Sequence, residues 1–260
     1  MFKFSKKILL AALSLAALAT TMISCNSAQE QKNSIVLGTH PEFPPYEFID
    51  EKGQVAGFDI DIAEKIAAMM GKKLIIKQMN FDALILALKS KKIDFLMSGM
   101  SITQDRMKEI AMVPYNGEKI TEMQLIFWGK VPAGVQSIDY LKSHVVAAQT
   151  GTIQESILHH YDDVHHKSLD GIMDLVMDLK YGKSIAALVQ PGIGNELKHK
   201  YGEIASIPLP LTPENQVLGD GIGIDKNNPE MIAHIESIIE TLKENGELEK
   251  LQQKWFHEVE

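Results

Sequence analysis

The segment Met97-Ser98-Gly99-Met100-Ser101-Ile102-Thr103-Gln104-Asp105-Arg106 gathers anion-binding chemistry into a short stretch. It leaves an apolar run, passes through small hydroxyl residues and enters a helical pattern with Arg106 on its first turn. Exposed N–H groups at a helix start, hydroxyls and a guanidinium can together hold a carboxylate by charge-assisted hydrogen bonds. The same residues also have a purely structural reading, with Ser101 and Thr103 as helix caps and Arg106 as a surface charge. Gln149-Thr150-Gly151-Thr152-Ile153-Gln154 repeats the strand-to-loop-to-helix arrangement, and taken singly it is an ordinary glycine loop.

Aromatic residues supply a second chemistry. Phe43, Tyr46 and Phe48 lie in a proline-rich loop, and Phe81 follows a later apolar run. Beside a cleft, such rings can sandwich a flat or cationic group; in a core they pack. His159, His160, His165 and His166 flank Asp162 and Asp163, a set that suits zinc, nickel or copper. The stretch reads as a helix end, a turn and a strand start, so its side chains diverge, and the expectation is a solvated surface with no metal site. G-x-S-x-G, H-E-x-x-H and the phosphate-cradling G-x-x-x-x-G-K-[ST] are all missing from the sequence. The cleft candidates His40, Glu42 and Gln190 make a poor catalytic set, so the expected function is binding, with no enzyme activity and no cofactor.

These residues need positioning elements. Strand-like Ile35 to Leu37 precedes Pro41, Pro44 and Pro45, which force an irregular loop. From Phe58, residues Ile62, Ala63, Ile66, Ala67 and Met70 recur at helical spacing and stop at Gly71. Leu74 to Ile76 and Phe95 to Met97 read as strands around a helix that Asn80 opens and Leu88 ends. Thr103 caps a short helix to Ile110. A second set follows: strands at Met123 to Trp128, Val145 to Ala148 and Ile185 to Val189, and helices at Thr152 to His160 and Gly171 to Tyr181. Asp170 is the expected cap of the latter helix and Gly182 its end. Asn228-Pro229 opens a final long helix that Gly246 closes. Alternating strands and helices predict an α/β fold in two units with mostly parallel sheets, whose ligand cleft lies at strand carboxyl ends.

The chain has 260 residues, enough for one large domain or two modest ones. Its 26 Lys and Arg against 34 Asp and Glu give a net charge of −8, which argues against a nucleic-acid partner. The single cysteine forbids an internal disulfide and a cysteine-based zinc cluster. Its position carries more information. Lys3, Lys6 and Lys7 precede a run of Ile, Leu, Ala and one Ser from Ile8 to Ala19, too short to span a bilayer core of about 30 Å. Residues 1–24 therefore read as a signal peptide. Met22-Ile23-Ser24-Cys25 is similar to a lipobox, with Met22 where Leu is preferred, which makes Cys25 the expected lipid attachment point and 25–33 a tether. Cleavage removes three lysines and no acid, leaving a more acidic mature chain.

In order, Gly38-Thr39 with Phe43-Pro44-Pro45-Tyr46-Glu47-Phe48, Gly57 to Ala63, Phe81-Asp82-Ala83-Leu84-Ile85, Ser98 to Thr103 with Arg106, and Gln149 to Gln154 resemble the bacterial extracytoplasmic solute-binding proteins of family 3. These are the polar amino-acid receptors of ABC importers. Among them the chain is most similar in style to the arginine-binding members, the chlamydial one included. The resemblance covers about Ile35 to Trp255. It implies the type II periplasmic-binding fold, two lobes joined by two hinge crossings, with residues 34–119 plus 221–260 in one lobe and 120–220 in the other. It further implies a monomer outside the cell membrane, held to it only by lipid, that passes a free polar amino acid to permease subunits.

By family position Arg106 clamps the ligand α-carboxylate with Ser101 and the N–H groups of Thr152 and Ile153. Gly99 offers its carbonyl to the α-ammonium. Phe43 and Phe81 stack about the ligand side chain, and Ser98, Gln149 and His40 border it. Two positions depart from the pattern. Gln190 stands where an acid usually pairs with the ammonium, a loss of about 1 to 3 kcal/mol in a closed site. His40 stands where members that bind basic ligands carry an acid or Asn. Arginine is the leading ligand; the alternatives are another polar amino acid, a dehydratase related to the cyclohexadienyl enzymes, and a metal or sensor protein using the histidines.

Overall fold

The computed structural model describes residues 33–117 and 119–256. The expected signal peptide, the expected lipid attachment point Cys25 and the expected tether up to residue 32 lie outside the described residues. The chain opens with β1 (Ser34–Thr39) and a small antiparallel sheet of β2 (Glu42–Phe43), β3 (Glu47–Ile49) and β4 (Val55–Ala56). Helix α1 (Phe58–Met69), β5 (Lys73–Gln78), α2 (Leu84–Lys89), β6 (Phe95–Leu96), α3 (Gln104–Glu109) and β7 (Ala111–Asn116) follow. A crossing then leads to β8 (Glu122–Trp128), β9 (Val145–Gln149), α4 (Ile153–Leu158), β10 (His165–Leu169), α5 (Ile172–Lys180), β11 (Ala186–Val189), α6 (Pro191–Tyr201) and β12 (Ile204–Pro210). A second crossing returns the chain to β13 (Asp220–Ile224), α7 (Pro229–Glu244) and α8 (Glu247–Trp255).

The two large sheets share one plan. Their strand orders are β5-β1-β6-β13-β7 and β10-β9-β11-β8-β12. In each, a single strand runs against the rest: β13 in the first sheet and β8 in the second. These two are the strands that arrive directly from the other sheet. The crossings themselves pair, through an antiparallel bridge between Ile120 and Val217. Two sheets of α/β topology joined by two adjacent crossings form the mixed, mostly parallel architecture that the sequence pattern predicts.

The periodicity read for α1 matches the buried face for Ile62, Ala63, Ile66 and Ala67, joined by Phe58, while Met70 lies just past the helix and is only half-buried. They pack with Ile35, Leu37, Ile222 and Ile224 of the first sheet and with Ile235 and Ile239 of α7. In the second sheet Met123, Leu125, Phe127, Val146 and Leu188 form the matching core. Thr103, Thr152 and Asn228 cap their helices, accepting the N–H of Arg106, Glu155 and Met231 at 3.2, 3.3 and 3.2 Å. Two expected caps are corrected. Asn80 precedes a 3-10 turn at Phe81–Ala83 and its side chain makes no capping bond. At α5 the cap position belongs to Gly171, one residue after Asp170, again without a side-chain bond. The last helical segment is separate: Gly246 ends α7 and starts α8. Helix α8 returns to α1 through Trp255 Nε1 and Lys254 Nζ, both donating to Asp61 at 2.7 and 2.6 Å. Among the described residues no helix is long and apolar enough to cross a membrane.

Candidate functional site

A cavity with about 470 Å³ of empty space, its mouth included, lies between the two sheets. Every one of His40, Phe43, Phe81, Ser98, Gly99, Ser101, Arg106, Gln149, Thr152, Ile153 and Gln190 lines it. The topology accounts for this convergence. His40 follows β1, Ser98 and Gly99 follow β6, Gln149 ends β9 and Gln190 follows β11, so all sit at carboxyl ends of parallel strands.

Arg106 reaches the cavity from the first turn of α3. Its Nη1 donates to the Ser101 carbonyl at 2.8 Å and its Nη2 to the Gly151 carbonyl at 3.0 Å, while its guanidinium lies 5.4 Å from the Phe81 ring centre. Those two bonds leave further N–H donors of the fork for a ligand. Burial lowers its pKa to about 10, which the charge of Asp220 partly offsets, so Arg106 remains a cation at neutral pH. Gln190 Nε2 donates to Ser101 Oγ at 2.7 Å, a buried bond between the carboxyl end of β11 and the first sheet. Gln149 is fixed by donating to the Asp170 carbonyl at 3.0 Å. Thr152 Oγ1 donates to the Gln149 carbonyl at 2.6 Å besides capping α4, whose first residue is Ile153. His40 donates from Nδ1 to the Met79 carbonyl at 3.1 Å, which leaves Nε2 without a hydrogen bond and 3.8 Å from Glu42.

The residue that sequence reasoning missed is Glu47. It lines the cavity and is 0% exposed. Its Oε1 accepts from Ser98 Oγ at 2.8 Å, and its Oε2 is buried with no hydrogen-bond donor. Gly57 explains its place. With φ at +136° and the position of a Cβ only 2.2 Å from the Tyr46 carbonyl oxygen, Gly57 lets the loop touch the start of α1. The N–H groups of Phe58 and Asp59 then donate to the carbonyls of Pro45 and Tyr46, both at 2.9 Å, and Glu47 comes to face Asp59.

Asp59 is also fully buried, and accepts from Gly99 N–H at 2.9 Å and Tyr115 O–H at 2.6 Å. Burial raises its pKa to about 6. Burial first, and Asp59 second, hold Glu47 well above the usual carboxylate range. A third acid, Asp220, sits at the start of β13 beside Tyr46 and Asn116, raised to about 7 chiefly by burial. A lone acid between Tyr46 and Phe48 in an apolar loop, and another on the buried face of α1, are the signals that the sequence offered. Gln154, Ile172, Leu175, Leu188 and Val189 complete the lining. The histidine cluster lies elsewhere: His159 and His166 meet edge to face at 4.2 Å, and among the described residues no group of three or more His, Cys, Asp or Glu converges on a metal-sized site.

Two α/β sheets, paired crossings and a cavity between them lined by polar and apolar side chains define a solute-binding protein of the type II periplasmic-binding fold. The chain belongs to the bacterial extracellular solute-binding proteins, family 3, whose model matches residues 35–258. It is 38% identical over 220 residues to the probable ABC transporter arginine-binding protein ArtJ of Chlamydia trachomatis, covering 85% of this chain and 84% of that one. It is 29% identical over 237 residues to the arginine-binding extracellular protein ArtP of Bacillus subtilis, covering 90% of each. Among solved structures, the P235GK mutant of ArgBP from T. maritima superposes with a TM-score of 0.81 at 28% identity, covering 89% of this chain and 99% of that one.

Proposed function

We propose that this chain is the receptor of an amino-acid ABC importer and that its ligand is arginine. The observation that carries the reading is the pairing, in one buried cavity, of the Arg106 guanidinium with the unmatched carboxyl oxygen of Glu47. An amino acid with a cationic side chain satisfies both. Arg106, helped by Ser101 and the N–H groups of Thr152 and Ile153, takes the α-carboxylate. Phe43 and Phe81 flank the aliphatic stem, and Ser98, Gln149 and His40 border it. Gly99, whose N–H is held by Asp59, directs its carbonyl to the α-ammonium. Glu47 supplies the negative charge that faces the cationic side chain. The arginine-binding names of the relatives support the same ligand.

Of the described residues, 34–117 with 220–256 form one lobe and 122–210 the other, and ligand favours the state in which they close through contacts with both. Cys25 carries the lipid that holds the monomer at the outer face of the membrane beside its permease. The reading is of a binding protein, without catalysis. Titration calorimetry of the common amino acids tests it. Wild-type protein binds arginine, and Arg106→Ala loses about 3 to 5 kcal/mol of affinity, the worth of two charge-assisted bonds. Equal binding by both proteins removes the carboxylate clamp, and absence of arginine binding removes the ligand.

A further inference from the structure

Glu47 sits where an ionised carboxylate is hardest to keep. It has no exposure to solvent, its Oε2 has no donor, and the equally buried Asp59 lies beside it, since Ser98 Oγ bonds Glu47 while the N–H of the next residue, Gly99, bonds Asp59. Asp59 is committed as an acceptor to Gly99 N–H and Tyr115 O–H. Two carboxylates in contact away from water repel one another and lack solvation. A proton on Glu47 removes both costs, because its O–H then donates to Asp59. The remaining neighbours do not supply a counter-ion. Asp220, at the start of β13, adds negative charge. The phenols of Tyr46 and Tyr115 are held protonated, chiefly by burial. His40 directs Nδ1 to Met79, and Arg106 is engaged by the carbonyls of Ser101 and Gly151.

We propose that capture of a cationic amino acid expels one proton from this cavity: the ligand side chain takes the place of the proton shared by Glu47 and Asp59 and leaves Glu47 as its carboxylate partner. The step balances simply. Protonated Glu47 and the guanidinium cation become an ion pair, and the proton passes to the buffer. No other bond changes. The inference deepens the arginine reading and rests on it. Its consequence is that affinity for arginine rises with pH, by up to about tenfold per unit, over the range in which Glu47 is protonated in the empty protein and ionised in the complex. Above the empty-state pKa the rise stops.

Titration calorimetry of L-arginine into the full chain, in phosphate and in Tris at one pH, counts the protons, because the observed heat includes the buffer's ionisation heat for each proton released. The expected result is a release approaching one proton, a dissociation constant that falls as pH rises until Glu47 is ionised in the empty protein, and loss of the release in Glu47→Gln. Arginine binding with a heat independent of buffer overturns the inference and leaves the ligand assignment standing. No arginine binding overturns the ligand assignment, and the inference with it. Release that persists in Glu47→Gln places the proton on Asp59 or Asp220 and overturns the role given to Glu47. If that variant does not fold, the wild-type buffer and pH series still decide whether a proton leaves.

Discussion

A methyl group at Gly151 tests how the halves of the molecule meet. Gly151 has φ at +76°, and a Cβ there falls 2.9 Å from both Cα and Cβ of Asp82, across the cavity in the 3-10 turn that carries Phe81. Ordinary van der Waals contact begins at 3.4 Å, so the backbones must separate by about 0.5 Å. Such a shift stretches the 3.0 Å bond from Arg106 to the Gly151 carbonyl to the edge of hydrogen bonding. Overpacking of this kind costs about 1 to 3 kcal/mol, roughly fivefold to a hundred-and-fifty-fold in arginine affinity when closure is required for binding. The left-handed backbone adds about 1 to 2 kcal/mol of destabilisation whether ligand is bound or not, so it lowers the melting temperature without further change in affinity. Calorimetric titration beside thermal unfolding separates the two effects. Gly171→Ala is the comparison: the three atoms nearest its Cβ belong to the flexible end of Glu42, and its backbone suits any residue, so affinity changes by no more than about threefold. Wild-type affinity in Gly151→Ala would show that the bound state does not bring these backbones together.

Three further outcomes follow from the buried groups. The pKa of Asp220 is raised in the fold, to about 7, so the native state holds its proton more tightly than the unfolded chain; the stability this confers is present in acid and is lost as pH rises toward 7. Melting temperature should fall from about pH 4 to 7 and level above it, with a shallower slope in Asp220→Asn; an unchanged slope excludes Asp220 as a contributor. Phe58 is fully buried and meets the rings of Tyr46, Tyr115 and Phe256, so Phe58→Ala should cost about 3 to 5 kcal/mol in denaturant unfolding, and a loss below 1 kcal/mol would contradict the packing. Removing Asp178, buried against Lys167 at 2.5 Å and Ser184, leaves both without their partner; Asp178→Ala should lose about 1 to 3 kcal/mol in the same assay while arginine binding stays intact.

The ligand cavity was legible where its residues carry local signals. Thr103 and Thr152 cap helices at the ends of apolar strands, and the small residues before them mark where the chain turns into the cavity. Glu47 and Asp59 were less legible because what distinguishes them is burial, created by a contact between a loop and a helix start that no spacing encodes. Strands β7, β12 and β13 also escaped the pattern. β13 carries a glycine before each of its two isoleucines because Ile102, Leu96 and Ile110 press against its backbone. β12 includes Pro208 and Pro210, tolerable because it is an edge strand. Helix α6, with Gly192 and Gly194 in its first turns, gains its definition from burying Ile193 and Leu197 against Val189 and Ile204. In each case the tertiary partner outweighs local propensity.

The order of the first sheet also constrains how the molecule is assembled. β13 lies between β6 and β7 and is bonded to both, yet the whole of the second sheet is made between β7 and β13. A growing chain that has just emitted β7 therefore holds a sheet with an unfilled slot, and β7 has no strand beside it. The second sheet, drawn entirely from residues 122–210, meets no such delay. The middle of this protein can consolidate first, and its beginning must wait for its end.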